Sequence, residues 1–150
     1  MNGRKRHILV DTLGLLLAQY IGPADVQDRD GAQTVMDERA MSHLARLQLI
    51  WADTAYRGKL ATFLLDNYGC RLEIVHRNQA VEPTPAGEPE QATQRGFQLI
   101  RWRWIVERTF GWIGRYRRMS KDYEHKTSSS ETWLYLSMAR LMLGRLAAEA

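Results

Sequence analysis

Two acidic residues stand where an acid is chemically informative. Asp53 closes the apolar run LQLIWAD (47–53) and is followed by TAYRG. Open α/β sheets bind ligands beyond the carboxyl ends of their strands, and a carboxylate there suits a hard divalent cation. The position suits a helix N-cap equally well, because Asp is a favoured cap and a helical pattern follows. Glu107 is the lone acid among eight basic residues, Arg95, Arg101, Arg103, Arg108, Arg115, Arg117, Arg118 and Lys121. As ordinary surface it would pair with Arg103 or Arg108, a contact worth about 0–1 kcal/mol. As chemistry it would hold a metal on a helix whose arginines touch phosphate. Two or three such carboxylates around divalent ions would activate a water or a 3′-hydroxyl and stabilise the leaving oxygen of a phosphodiester.

The other candidates carry less. Asp11, Asp25, Asp28 and Asp30 read as turn and strand-end residues, with Asp11 the best placed of them for a metal. His7, His43, His76 and His125 lack metal-ligand spacing. Tyr56 and Arg57 are candidates for contact with DNA, and the five tryptophans read first as core. No P-loop, dinucleotide fingerprint, nucleophile elbow or zinc motif is present. The single cysteine, Cys70, excludes a disulfide framework and fits a reducing compartment. The formal charge is +4. The window Arg95–Lys121 alone carries +7, so the rest of the chain carries −3, and a polyanionic partner would meet that one segment. No apolar run reaches the roughly 18 residues of a membrane helix, and Asp11 interrupts the only stretch resembling an export signal, so a cytoplasmic location is expected.

The elements that must position these residues follow from periodicity. Residues 7–11 and 15–21 are short apolar runs around a Gly-containing turn and predict a β-hairpin. Val35, Met36, Ala40, Leu44 and Leu47 have helical spacing and predict one helix over about 32–47. A strand at 47–53, a helix ending at Gly69 and a strand within CRLEIVH (70–76) come next. Residues 78–96 hold three of the four prolines and almost no large apolar side chain, which predicts a mobile loop. FQLIRWRWIVERTFGWIGRYRR (97–118) reads as one helix, and about 130–148 as another. The first of these two presents a continuous stripe through Trp102, Ile105, Val106, Thr109, Phe110, Ile113 and Tyr116. Glu107 falls nearly opposite, sharing its face with Arg103, Gly111, Gly114 and Arg118. The two glycines would let a backbone come close. The order β-β-α-β-α-β-loop-α-α predicts a mixed α/β domain of 150 residues with helices packed on a sheet.

Taken together, GRKRHILVDTLGLLLA, DVQDRDGA, WADTAYRGKL, LEIVHR and RWRWIVERTFGWIGRYRRMSKDYE resemble, in order, the carboxyl-terminal part of bacterial insertion-sequence transposases of the DDE class. The resemblance implies a ribonuclease-H-like mixed sheet with flanking helices, and cutting and joining of DNA ends with Mg²⁺ or Mn²⁺. It implies Asp53 and Glu107 as catalytic, metal-holding carboxylates. Arg103 corresponds to a family arginine assisting at the DNA, and Arg108, Arg115, Arg117, Arg118 and Lys121 are expected to contact DNA. A tyrosine three residues before that arginine and a lysine seven after the glutamate, present in some related transposases, are Ile100 and Gly114 here, with Arg115 or Arg118 as alternative cations. The family's first catalytic aspartate, in an Asp-Ser segment on its first strand, falls upstream of GRKRH. The expectation is a partial catalytic domain, truncated or split by a frameshift, lacking that strand and inactive alone. Its partners would be DNA and the upstream transposase portion or another transposase copy, with no membrane. The alternative is an inactive fragment that binds DNA or transposase and inhibits transposition.

Overall fold

A computed structural model describes residues 3–75 and 103–149. The chain opens on a hairpin in which β1 (Arg4–Val10) runs antiparallel to β2 (Leu16–Pro23). Asp11 organises the turn: its carboxylate accepts from the amides of Leu13 and Leu15 at 2.9 and 2.8 Å, and Gly14 supplies a φ of 81°. The aspartate best placed among the lesser acids for a metal is therefore engaged by backbone.

Next come α1 (Asp28–Val35) and α2 (Glu38–His43), where the sequence predicts one helix. Asp37 makes the break. Its carboxylate accepts from the Ala40 amide at 2.8 Å and starts a new helix as an N-cap. β3 (Leu49–Ala52) pairs in parallel with β4 (Arg71–Ile74). Between them run a 3₁₀ turn at Thr54–Tyr56 and α3 (Lys59–Tyr68), which ends on Gly69 at φ 63° as the sequence predicts. The loop expected at 78–96 and the start of the helix predicted from 97 lie outside the described residues. α4 (Arg103–Gly114) stops short of the predicted end, and a 3₁₀ turn at Arg117–Met119 leads on to α5 (Thr127–Glu149).

Strand alternation gives the hairpin two working faces. Lys5, His7 and Leu9 face α1, whereas Arg4, Arg6 and Ile8 face the C-terminal helices. Pairing passes from Leu9↔Ala18 to Val10↔Leu16, so Leu17 is left over as a bulge. The extra residue changes the phase of β2. Ala18 then joins the α1 core, and Leu16 joins the α4–α5 core beside Ile8. The first core also collects Val35, Met36, Ile50, Leu60, Leu64 and Cys70; the second holds Ile113, Met119 and Leu134.

The class is mixed α/β. In place of one mixed sheet there are two two-stranded sheets, β1–β2 and β3–β4, with no strand joining them among the described residues. α1 packs on both hairpin strands and on the 3₁₀ turn after β3, so one helix serves both sheets.

Candidate functional site

Asp53 follows β3 directly, at the carboxyl end of the parallel pair. Its Oδ1 accepts from the Ala55 amide at 2.9 Å and caps the 3₁₀ turn. The cap reading of this residue is thus realised, yet the side chain stays exposed and makes no other hydrogen bond among the described residues. Tyr56, half-buried against the first core, has its phenol pushed up to about 12, mainly by burial, with the carboxylates of Asp28 and Asp53 adding to it.

Glu107 sits on the outer face of α4. The inner face buries Ile105, Thr109 and Ile113, while Val106 and Phe110 are partly exposed, so the apolar stripe is narrower than the sequence predicts. The Thr109 hydroxyl, fully buried, donates toward Gly14 O at 2.9 Å and lies 3.0 Å from Ile105 O. A Cβ on Gly14 would stand 2.8 Å from that hydroxyl and 3.0 Å from Trp112, so the glycine lets α4 rest on the hairpin turn. This contact fixes the roll of α4 and turns Glu107 outward. On the same outer side, a Cβ at Gly111 or Gly114 would meet nothing within 4 Å, which leaves bare backbone beside the acid.

The expected DNA-contacting cations divide into two groups. The Arg108 guanidinium lies between the rings of Trp104 and Trp112, 4.1 and 4.6 Å from their centroids, and donates to Leu13 O at 2.9 Å. Arg145 from α5 stacks on the same Trp112 at 4.5 Å. Arg118 pairs with Glu124 at 2.9 Å and lies over Trp133. By contrast, the side chains of Arg115, Arg117 and Lys121 are exposed and have no hydrogen bond or ion pair among the described residues. The side chain of Arg103 lies outside the described residues, as does Ile100.

One constellation escapes the sequence reading. Arg4 donates to the Asp122 carboxylate at 3.1 Å and to the carbonyls of Glu124 and His125 at 2.8 and 2.6 Å, and Ser130 donates to Asp122 at 2.6 Å. Burial alone would raise the Asp122 carboxyl; the Ser130 hydroxyl, the Glu124 amide and Arg4 outweigh it and hold the group below its usual range. The available signal was the pair of acids, Asp122 and Glu124, directly after the basic run.

Asp53 and Glu107 belong to different packing groups, the first at the edge of the α1–α3 core and the second on α4 above the hairpin turn. Among the described residues no three His, Cys, Asp or Glu gather closely enough to hold a metal. As donors, two exposed carboxylates are chemically suited to a hard divalent ion. A family profile described as Transposase DDE domain matches residues 1–142. The chain belongs to this family. A curated relative from Burkholderia cepacia, named "Putative transposase for insertion sequence element IS402", is 27% identical over 140 residues, covering 89% of this chain. The DDE-domain chain spans 60% of the length of that relative. No solved structure matches it significantly. No helix among the described residues is long and apolar enough to cross a membrane.

Proposed function

We propose that this DDE-domain chain takes part in DNA transposition. In this reading Asp53 and Glu107 are two carboxylates of a divalent-metal site, and the basic residues at and after α4 are its DNA contacts. One observation carries most of the weight. Glu107 lies on an exposed, glycine-flanked helix face that leads directly into Arg115, Arg117 and Lys121, three cations that no described carboxylate neutralises. Exposed cations clustered at one end of a helix raise the local potential and attract a polyanion.

Asp53 and Glu107 would hold Mg²⁺ or Mn²⁺, which when bound supply activation of a water or 3′-hydroxyl and neutralise the leaving oxygen. The chain's own residues do the positioning. The Ala55 amide fixes the Asp53 carboxylate at the strand end, and the Thr109–Gly14 bond keeps Glu107 facing outward. Arg115, Arg117 and Lys121, with Arg103 and Arg118, attract and register phosphates, while Arg108 braces α4 against the turn. The domain would be ribonuclease-H-like and would act in the cytoplasm, and the family resemblance implies a third carboxylate, on an Asp-Ser segment.

The test is DNA cleavage and joining by the chain extended in frame with that segment, in Mg²⁺ or Mn²⁺. Asp53→Asn and Glu107→Gln, both exposed, should each reduce activity to background while unfolding free energy changes by no more than about 0.5 kcal/mol. Undiminished activity in either variant would remove that residue from the site.

A further inference from the structure

Beside Asp53 lies a cleft of about 450 Å³, within the size range of small-ligand sites. Lys5 of β1, the segment Asp25–Arg29 at the start of α1, and Thr54, Ala55 and Arg57 form its walls. Two arginines from different elements, Arg29 and Arg57, are among its lining residues. Arg29 extends from α1 until its Nη1 lies 3.9 Å from where a Cβ on Gly58 would stand, and Gly58 is the neighbour of Arg57. Arg29 is braced by a neutral acceptor, the Gln27 amide oxygen, through Nε and Nη2 at 3.1 and 2.8 Å, so its charge is not cancelled.

Two further features favour an anion. Both helices that begin at this place, α1 after Gln27 and α3 after Gly58, lack a side-chain cap, so their first amides are open to an acceptor. The opposing acids are also accounted for. Asp28 is paired with Lys5, whose ammonium lies 3.0 Å from the carboxylate and 2.8 Å from Val26 O, where a bound cation would otherwise sit. Asp25 remains at the exposed rim.

We infer that this cleft is a phosphate subsite, in which Arg29, Arg57 and the Thr54 hydroxyl hold a backbone phosphate of the DNA strand next to Asp53. The inference rests on the DNA-handling reading above and adds a second contact region, on the opposite core from the α4 cations.

The test uses the 150-residue chain, ¹⁵N-labelled and titrated with inorganic phosphate and separately with a short DNA duplex. Amide shifts at Thr54, Ala55, Arg57 and Gly58 with both ligands are expected, and their loss in Arg29→Gln/Arg57→Gln with the rest of the spectrum unchanged. The salt dependence of duplex binding should flatten in that variant by about 0.9 for each phosphate it no longer neutralises. If the double variant loses its dispersed spectrum, Arg29→Gln alone makes the same comparison. Duplex-induced shifts confined to Arg115–Lys121, with an unchanged salt slope, overturn the subsite and leave the DNA reading intact. Shifts with phosphate but not with duplex assign the cleft to a free anion and overturn the strand contact. Absence of any salt-dependent duplex binding overturns the DNA reading itself.

Discussion

At residue scale the tightest constraint is on Gly31. A Cβ there would overlap the His7 ring, which is only 5% exposed and stacks on Tyr20 with centroids 6.1 Å apart. Gly31→Ala should therefore destabilise the fold by about 1–3 kcal/mol, the usual cost of overpacking, read from denaturant midpoints. Burial also lowers the His7 pKa, with nearby Asp28 opposing and Lys5 assisting, because the charged ring is hard to desolvate. The unfolded chain then binds the proton more readily, so stability is full above pH 6.5 and declines as pH falls toward the folded value. Asp122 adds a second loss at lower pH: its depressed carboxyl contributes above about 3.8 and that contribution disappears as pH falls through the folded value. Measured from pH 8 to pH 2, His7→Phe should flatten the first decline and Asp122→Asn the second; unchanged curves would refute these assignments. The capping role of Asp53 is legible in the sequence, because an acid between an apolar run and a turn is a favoured cap. The role of Arg108 is not, since it depends on two tryptophans and the hairpin turn meeting in three dimensions.

At element scale, α4 is held on the hairpin turn by a small contact. Thr109→Val removes its hydrogen bond to Gly14 O and should cost about 0.5–1.5 kcal/mol. Gly14→Ala should cost more, because a φ of 81° strains any L side chain and the added Cβ meets Thr109 and Trp112. If Glu107 holds a metal as proposed, both variants should also reduce DNA cleavage by the chain extended with the Asp-Ser segment beyond their effect on stability, because Glu107 turns with the helix. Equal activity at equal folded fraction would show that the roll of α4 does not matter. The hairpin, β3, α3 and β4 are readable from periodicity and glycine placement, to within a few residues at each end. Two boundaries are not. The apolar period continues through Met36 and Ala40, so nothing in it marks Asp37 as a cap, which becomes visible only through its bond to Ala40. In the sequence Gly114 reads as part of a helix face, whereas its poor helix propensity marks the end of α4 before the 3₁₀ turn.

At the scale of the whole molecule the decisive feature is the pair of sheets that, among the described residues, share α1 but not a strand. β1 is paired only with β2, and β3 only with β4, among the described residues. Among the described residues each sheet therefore has an open edge on β1 or β3, and open edges invite wrong pairing and aggregation. Two-stranded sheets are marginal by themselves, so much of the cooperativity here must come from the α1 packing that the sheets hold in common. A strand lying between β1 and β3 would close both edges at once and make one mixed sheet, as the resemblance to ribonuclease-H-like transposases implies. It would also bring an acid on that strand beside Asp53 at the end of β3. We expect the 150-residue chain alone to show rapid amide exchange along β1 and β3, broad unfolding and no strand transfer. In-frame addition of the upstream Asp-Ser segment should slow exchange on both strands together, sharpen the transition and give metal-dependent joining of DNA. Protection of only one strand would mean that the added segment pairs without bridging. Sharp unfolding and efficient joining by the 150 residues alone would mean that the two sheets need no bridge and that another acid completes the site.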